Sequence, residues 1–118
     1  MRQPPSLDSY GAGGFRVSGV WRPGSLLILD DQPQAWRPAA LADVTPEDFA
    51  AVLAAGVRVS EFVLLGTGGV QSPPPRAVAQ ALRAAGLGLE FMSTANAASA
   101  YGVLVSQGRR PAVALIAV

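Results

Sequence analysis

From Thr45 onward the chain alternates helical and apolar extended segments, and this order constrains the fold more than any other feature. Thr45-Pro46-Glu47-Asp48 supplies a capping threonine, a proline at the first helical position and carboxylates at the positive end of a helix dipole. It predicts a helix over Pro46–Ala55, closed by Gly56, with Phe49, Val52, Leu53 and Val57 as its buried stripe. A short apolar strand over Glu61–Leu65 and a loop Gly66-Thr67-Gly68-Gly69 follow. A second helix over Pro74–Ala85 then turns Val78, Ala81, Leu82 and Ala85 inward and ends at Gly86. Next come a strand over Leu87–Met92, an alanine-rich third helix from Thr94 to about Gln107, and an apolar strand over Pro111–Val118. Such an order calls for parallel strands joined by right-handed crossovers, and the apolar last strand calls for cover on both faces.

The front half has strand character. Gly14–Val20 alternates apolar and polar residues, Arg22-Pro23-Gly24-Ser25 has the signature of a type II turn, and Leu26–Leu29 is apolar. These predict a hairpin, with Asp30, Asp31 and Pro33 breaking its second strand and a third short strand around Ala35, Trp36 and Arg37. The expected architecture is therefore a single α/β domain over residues 1–118 with a loosely packed start over 1–9. It is a three-layer arrangement in which an N-terminal β-meander precedes β-α-β-α-β and the central sheet is mixed but largely parallel. Half of the 118 residues are hydrophobic, enough for a core without metal or disulfide support.

The side chains that are missing exclude whole classes of chemistry. The chain has no histidine and no cysteine, and its nine basic residues are all arginine. There is thus no Ser-His-Asp triad, thiolate nucleophile, lysine Schiff base, Walker-type lysine, or zinc site built from histidine or cysteine. These absences favour a protein that is not an enzyme, with no cofactor and no metal. A net charge of +1 without a dense run of either sign gives no reason to expect nucleic acid. No apolar run with a basic flank opens the chain, and the apolar end is too short to span a bilayer, so the expected location is cytoplasmic, without membrane insertion.

A ligand site, if present, belongs where loops leave the C-terminal ends of the parallel strands. Gly66, Thr67, Gly68 and Gly69 meet Ser93 and Thr94 there, at the N-terminus of the third helix, and together they form a candidate anion site. The competing reading is that Ser93 or Thr94 caps its own helix and the glycines make a tight turn before Pro73, Pro74 and Pro75. Tyr101 is a further candidate, against the reading that it is a core residue with a satisfied hydroxyl; with a 3.6-residue period it lies about 140° around the helix from Asn96, so only one of them faces such a site. Glu90, in a strand expected to be buried, calls for an arginine or amide partner or a raised pKa, with pairing to an arginine ahead of a catalytic acid. Arg109 and Arg110 fall at the opposite edge of the sheet, where they read either as a solvated pair at the negative end of the third helix or as partner-contact candidates. Trp21 and Trp36 either close the core or mark a contact surface.

The ordered series Phe62-Val63-Leu64-Leu65-Gly66-Thr67-Gly68, the prolines near 74, Gly86, Glu90-Phe91-Met92-Ser93-Thr94, Tyr101 and Gly108-Arg109-Arg110 resembles a family of small domains of unknown function. That family includes the mitochondrial complex I assembly factor 3 and the adipogenesis-associated protein of the same domain type. The resemblance runs from about residue 10 to the end. It implies a compact three-layer fold with a mixed sheet, no known catalysis, and respiratory-complex assembly proteins as partners. The chain departs from the family pattern at Ala100-Tyr101-Gly102, where Thr-Tyr-Asn is usual, and at Gln107, where glutamate is usual. Polar groups that would line a pocket are therefore partly missing.

Overall fold

In the computed structural model, which describes residues 2–118, the alternating half builds the centre of the molecule. Strands β1 (Leu7–Gly11), β2 (Gly14–Val17) and β3 (Val20–Pro23) form a small antiparallel sheet. Strands β4 (Ser25–Leu29), β5 (Gln32–Trp36), β6 (Phe62–Gly66), β7 (Gly88–Met92) and β8 (Ala112–Leu115) form a five-stranded sheet in the order β5-β4-β8-β6-β7. In it β6 runs parallel to both β7 and β8, while β4 is antiparallel to β5 and β8, which gives the expected mixed sheet.

Alternation along the central strands divides the core in two. Leu27, Val63, Leu65, Ala112 and Ala114 face one outer layer, made of a 3-10 turn at Pro46–Phe49, helix α1 (Ala50–Ala55) and helix α2 (Arg76–Ala84). Leu26, Ile28, Leu64, Val113 and Leu115 face the other, where helix α3 (Thr94–Ser106) and the small sheet supply Ala97, Tyr101, Phe15 and Val17. Strand β8 lies between β4 and β6, and Ala112, Val113, Ala114 and Leu115 are all fully buried, as its apolar sequence requires.

Several local expectations need correction. Gly14–Val20 is not one strand, because Ser18 and Gly19, at φ +48° and +81°, turn the chain between β2 and β3. Such left-handed pairs match the twist of a two-residue hairpin. Ala12-Gly13 and Asp30-Asp31 make the same kind of turn. The predicted pairing of this segment with Leu26–Leu29 does not occur. Pro23-Gly24 instead carries the chain from the small sheet into the large one, where β4 pairs with β5 and β8. Within the expected loose start, Leu7–Ser9 belong to β1 and Arg2 is bonded to Asp31, while Met1 lies outside the described residues. Val57 is exposed rather than part of the first helix's stripe. Ala85, expected inward, is also exposed. Glu90 is exposed on edge strand β7, so its carboxylate stays in water and needs no partner.

The start of the α1 layer is fixed by a polar clamp. Both oxygens of Asp48 accept from Arg37, through Nε at 2.7 Å and Nη2 at 2.7 Å, and the Thr45 N–H donates to the same carboxylate at 2.8 Å. The Arg37 guanidinium, helped by the Thr45 bonds, holds the Asp48 pKa down, from the ordinary 3.8 to about 2. A carboxyl depressed in the folded state contributes stability above its unfolded pKa and loses it as pH falls toward the folded one. Urea midpoints should therefore fall between about pH 4 and pH 2, and Asp48→Asn should remove that component of the acid sensitivity while lowering stability at pH 7.

Ser60, just before β6, is fully buried and its hydroxyl has no partner. An unmade hydrogen bond at a buried hydroxyl costs on the order of 1 kcal/mol or more, so Ser60→Ala should raise the unfolding free energy by about 1 kcal/mol in urea titration. A loss of similar size would mean that the hydroxyl is bonded.

Candidate functional site

The Gly66–Gly69 loop and the start of α3 do meet, at the C-terminal ends of β6 and β7. Their polar groups are turned on one another. Thr94 is fully buried; its hydroxyl accepts from the Gly68 N–H at 3.0 Å and donates to the Ile116 carbonyl at 2.7 Å. The Thr94 N–H donates to the Gly68 carbonyl at 2.9 Å, and the Thr67 N–H to the Met92 carbonyl at 2.8 Å. The Thr67 hydroxyl reaches the Val70 carbonyl at 2.6 Å, and Ser93 caps its own helix by accepting from Asn96 N–H at 3.3 Å. The junction thus ties β6, β7, β8 and α3 together through these bonds.

Two glycines make the approach possible. A Cβ on Gly66 would lie 2.8 Å from Leu115 Cδ2 and 3.0 Å from Thr94 Cα, so α3 can rest on β6 only because that atom is missing. Gly68 adopts φ +104°, a backbone region that side-chain-bearing residues rarely enter.

Tyr101 does not face this loop. Its hydroxyl donates to the Pro5 carbonyl at 2.7 Å, fastening the N-terminal segment to α3, and burial, with Asp31 adding to it, pushes its pKa up to about 12. Asn96 is exposed.

Arg109 and Arg110 lie at the other edge of the sheet, as their place before β8 predicts. Arg109 sits 5.2 Å above the Phe62 ring and 3.4 Å from Glu61, while Arg110 reaches Asp30 at 3.5 Å. Glu61 also accepts from the Arg110 N–H, which holds its pKa below the usual carboxylate range. Arg2 closes the cluster with two bonds to Asp31 and one to the Arg109 carbonyl. Both C-terminal guanidinium groups keep 44% of their side-chain surface open to solvent.

The two tryptophans have different roles. Trp36 is buried, donates to the Asp48 carbonyl at 2.8 Å and meets Phe49 edge to face at 5.3 Å. Trp21 lies on the small sheet with 41% of its surface exposed. Beside it, Arg22 has a buried Nε with no acceptor, a feature that sequence reasoning missed because Arg22 reads there only as a turn residue.

Fold and site together define a three-layer α/β domain with a self-bonded glycine junction and, among the described residues, no group of three or more carboxylates able to hold a metal. The chain belongs to the family described as "Protein of unknown function (DUF498/DUF598)", which matches residues 7–116. An uncharacterised Rhodobacter capsulatus protein is 36% identical over 93% of this chain and 82% of its own length. The rat NADH dehydrogenase [ubiquinone] 1 alpha subcomplex assembly factor 3 is 31% identical over 93% of this chain; the chain spans 59% of that relative's length. The crystal structure of an outer membrane protein from Bartonella henselae superposes with a TM-score of 0.87 at 28% identity, covering 97% of this chain and 95% of that one. Among the described residues no helix is long and apolar enough to cross a membrane.

Proposed function

We propose that this chain is a noncatalytic protein-binding module that assists assembly of a respiratory NADH dehydrogenase complex and works from the cytoplasmic side without inserting in the membrane. The observation that carries the reading is the alignment of 93% of the chain with the rat assembly factor. The side-chain inventory supports it, since histidine, cysteine and lysine are all absent. The Arg109–Arg110 edge supplies exposed, forked donors suited to carboxylates on a protein partner.

Affinity capture of the tagged protein from its own detergent-solubilised cells tests the reading. Respiratory-complex subunits or assembly proteins should be recovered with the wild type and lost with Arg109→Ala/Arg110→Ala. That variant should stay folded, because exposed ion pairs contribute little to stability. Capture of none of these proteins by the wild type would contradict the proposal. Anion binding at Gly66–Gly69 and Ser93–Thr94 is the alternative. It requires a rise in melting temperature with phosphate or carboxylate ligands, and it is disfavoured by the Gly68 and Thr94 amides being already bonded within the junction.

A further inference from the structure

Among the described residues four strands lie at sheet edges: β1 and β3 in the small sheet, β5 and β7 in the large one. Exposed edges invite pairing with foreign strands unless something blocks them. Three are blunted. The β1 register is broken between Leu7 and Ser9, β5 carries Pro33, and β7 has the exposed carboxylate of Glu90 at its centre. Edge β3 presents Val20 and Trp21, 58% and 41% exposed; its proline closes only the far end of the strand, and its charged residue, Arg22, lies on the sheet face shared with Phe15.

Backbone register shows what this edge offers. Val17 pairs with Val20 across the two-residue turn, Arg16 with Trp21 and Phe15 with Arg22. Hydrogen-bonded and non-hydrogen-bonded pairs alternate in an antiparallel ladder, and the pair flanking a two-residue turn is bonded. Val20 and Arg22 therefore direct their backbone groups to β2, and Trp21 directs its N–H and C=O outward. Between β3 and the β4–β5 pair runs a groove of about 380 Å³ whose lining includes Val20, Trp21, Arg22, Leu26 and Ala35. Arg22 shares the sheet face of Phe15, so its side chain points to the groove side. Its Nε is buried without an acceptor, and among the described residues it has no carboxylate partner.

We infer that the β3 edge and this groove form a docking site for an extended acidic segment of a partner protein, which adds as a strand beside Trp21 and places a carboxylate on the Arg22 guanidinium. Strand addition supplies main-chain bonds, and the groove reads the side chains on one face of the incoming strand. A carboxylate is the matching group because the Arg22 guanidinium has no ion-pair partner among the described residues. Small carboxylates share that chemistry, but they leave the Trp21 backbone pair and the exposed Val20 unanswered. The site rests on the reading of the chain as a protein-binding module and names one of its surfaces.

The test uses the isotope-labelled 118-residue chain and an acetylated, amidated Thr-Val-Glu-Val-Thr peptide, followed by NMR. Saturable shifts of the Trp21 amide and indole signals are expected, with the buried Trp36 indole unmoved. Replacing the peptide's glutamate by glutamine should weaken binding about tenfold, as should Arg22→Gln in the protein, the size expected of one charge-assisted hydrogen bond. The peptide change reports the same contact even if the protein variant folds poorly. Absence of saturable shifts, equal binding of the glutamine peptide, or acetate binding as tightly as the peptide would each overturn the strand-addition site. If capture from cells still recovers respiratory subunits in such a case, the fault lies in this surface and not in the protein-binding reading.

Discussion

Phe15→Ala should lower the unfolding free energy by about 4 kcal/mol and the melting temperature by roughly 15 °C. Phe15 is fully buried, yet it stands on the small N-terminal sheet, which has a register of its own and shares no strand with the central sheet. Its ring belongs to the core cluster that holds Leu26, Ile28, Leu64, Ala97, Tyr101 and Leu115. Deleting it removes the transfer energy of the ring and leaves a cavity between two sheets that are each held in place by hydrogen bonds, so collapse into the gap is limited. Hydrogen exchange should show the loss first in β1, β2 and β3. If the small sheet were an appendage rather than a wall of the core, the cost would be under about 1 kcal/mol, as for a surface substitution.

Thr94→Val should cost about 3 kcal/mol although the two side chains have nearly the same shape. The hydroxyl is fully buried, accepts from Gly68 N–H and donates to the Ile116 carbonyl, so valine leaves one buried donor and one buried acceptor unpaired. Each unsatisfied group costs on the order of 1–3 kcal/mol. Thr94→Ser keeps the hydroxyl and should recover most of the loss in chemical denaturation. Equal losses in both variants would mean that the methyl group's packing, and not the hydroxyl, carries the effect.

The alternating half was legible in the sequence because its signals are local: a capping threonine before Pro46, glycine after each of the first two helices, and a last strand whose residues are all apolar. Sheet order was not written locally. That β8 lies between β4 and β6 follows from long-range pairing, which a single strand's periodicity does not report. The β1 strand, Leu7-Asp8-Ser9-Tyr10-Gly11, is too polar and too bulged to show alternation. The Ser18-Gly19 turn was hidden because the residues on either side of it continue an apolar and polar rhythm across a two-residue hairpin.

At the candidate site, the sequence placed the glycine loop and Ser93-Thr94 together, and it placed Arg109 and Arg110 at the far edge. It did not reveal that Thr94 answers the loop through Ile116, because that bond spans separate elements. Glu90 reads as buried when strand β7 is taken alone; only the strand order makes it an edge residue. Tyr101 is placed by its partner Pro5, which lies 96 residues away in sequence.

Deleting this chain's gene from its source cells and measuring assembled NADH dehydrogenase on native gels, with the wild-type chain restored as control, tests the assembly role. Assembled enzyme should fall while its separate subunits are still made, and the restored chain should return it. Full assembly in the deletion strain would contradict the proposed role.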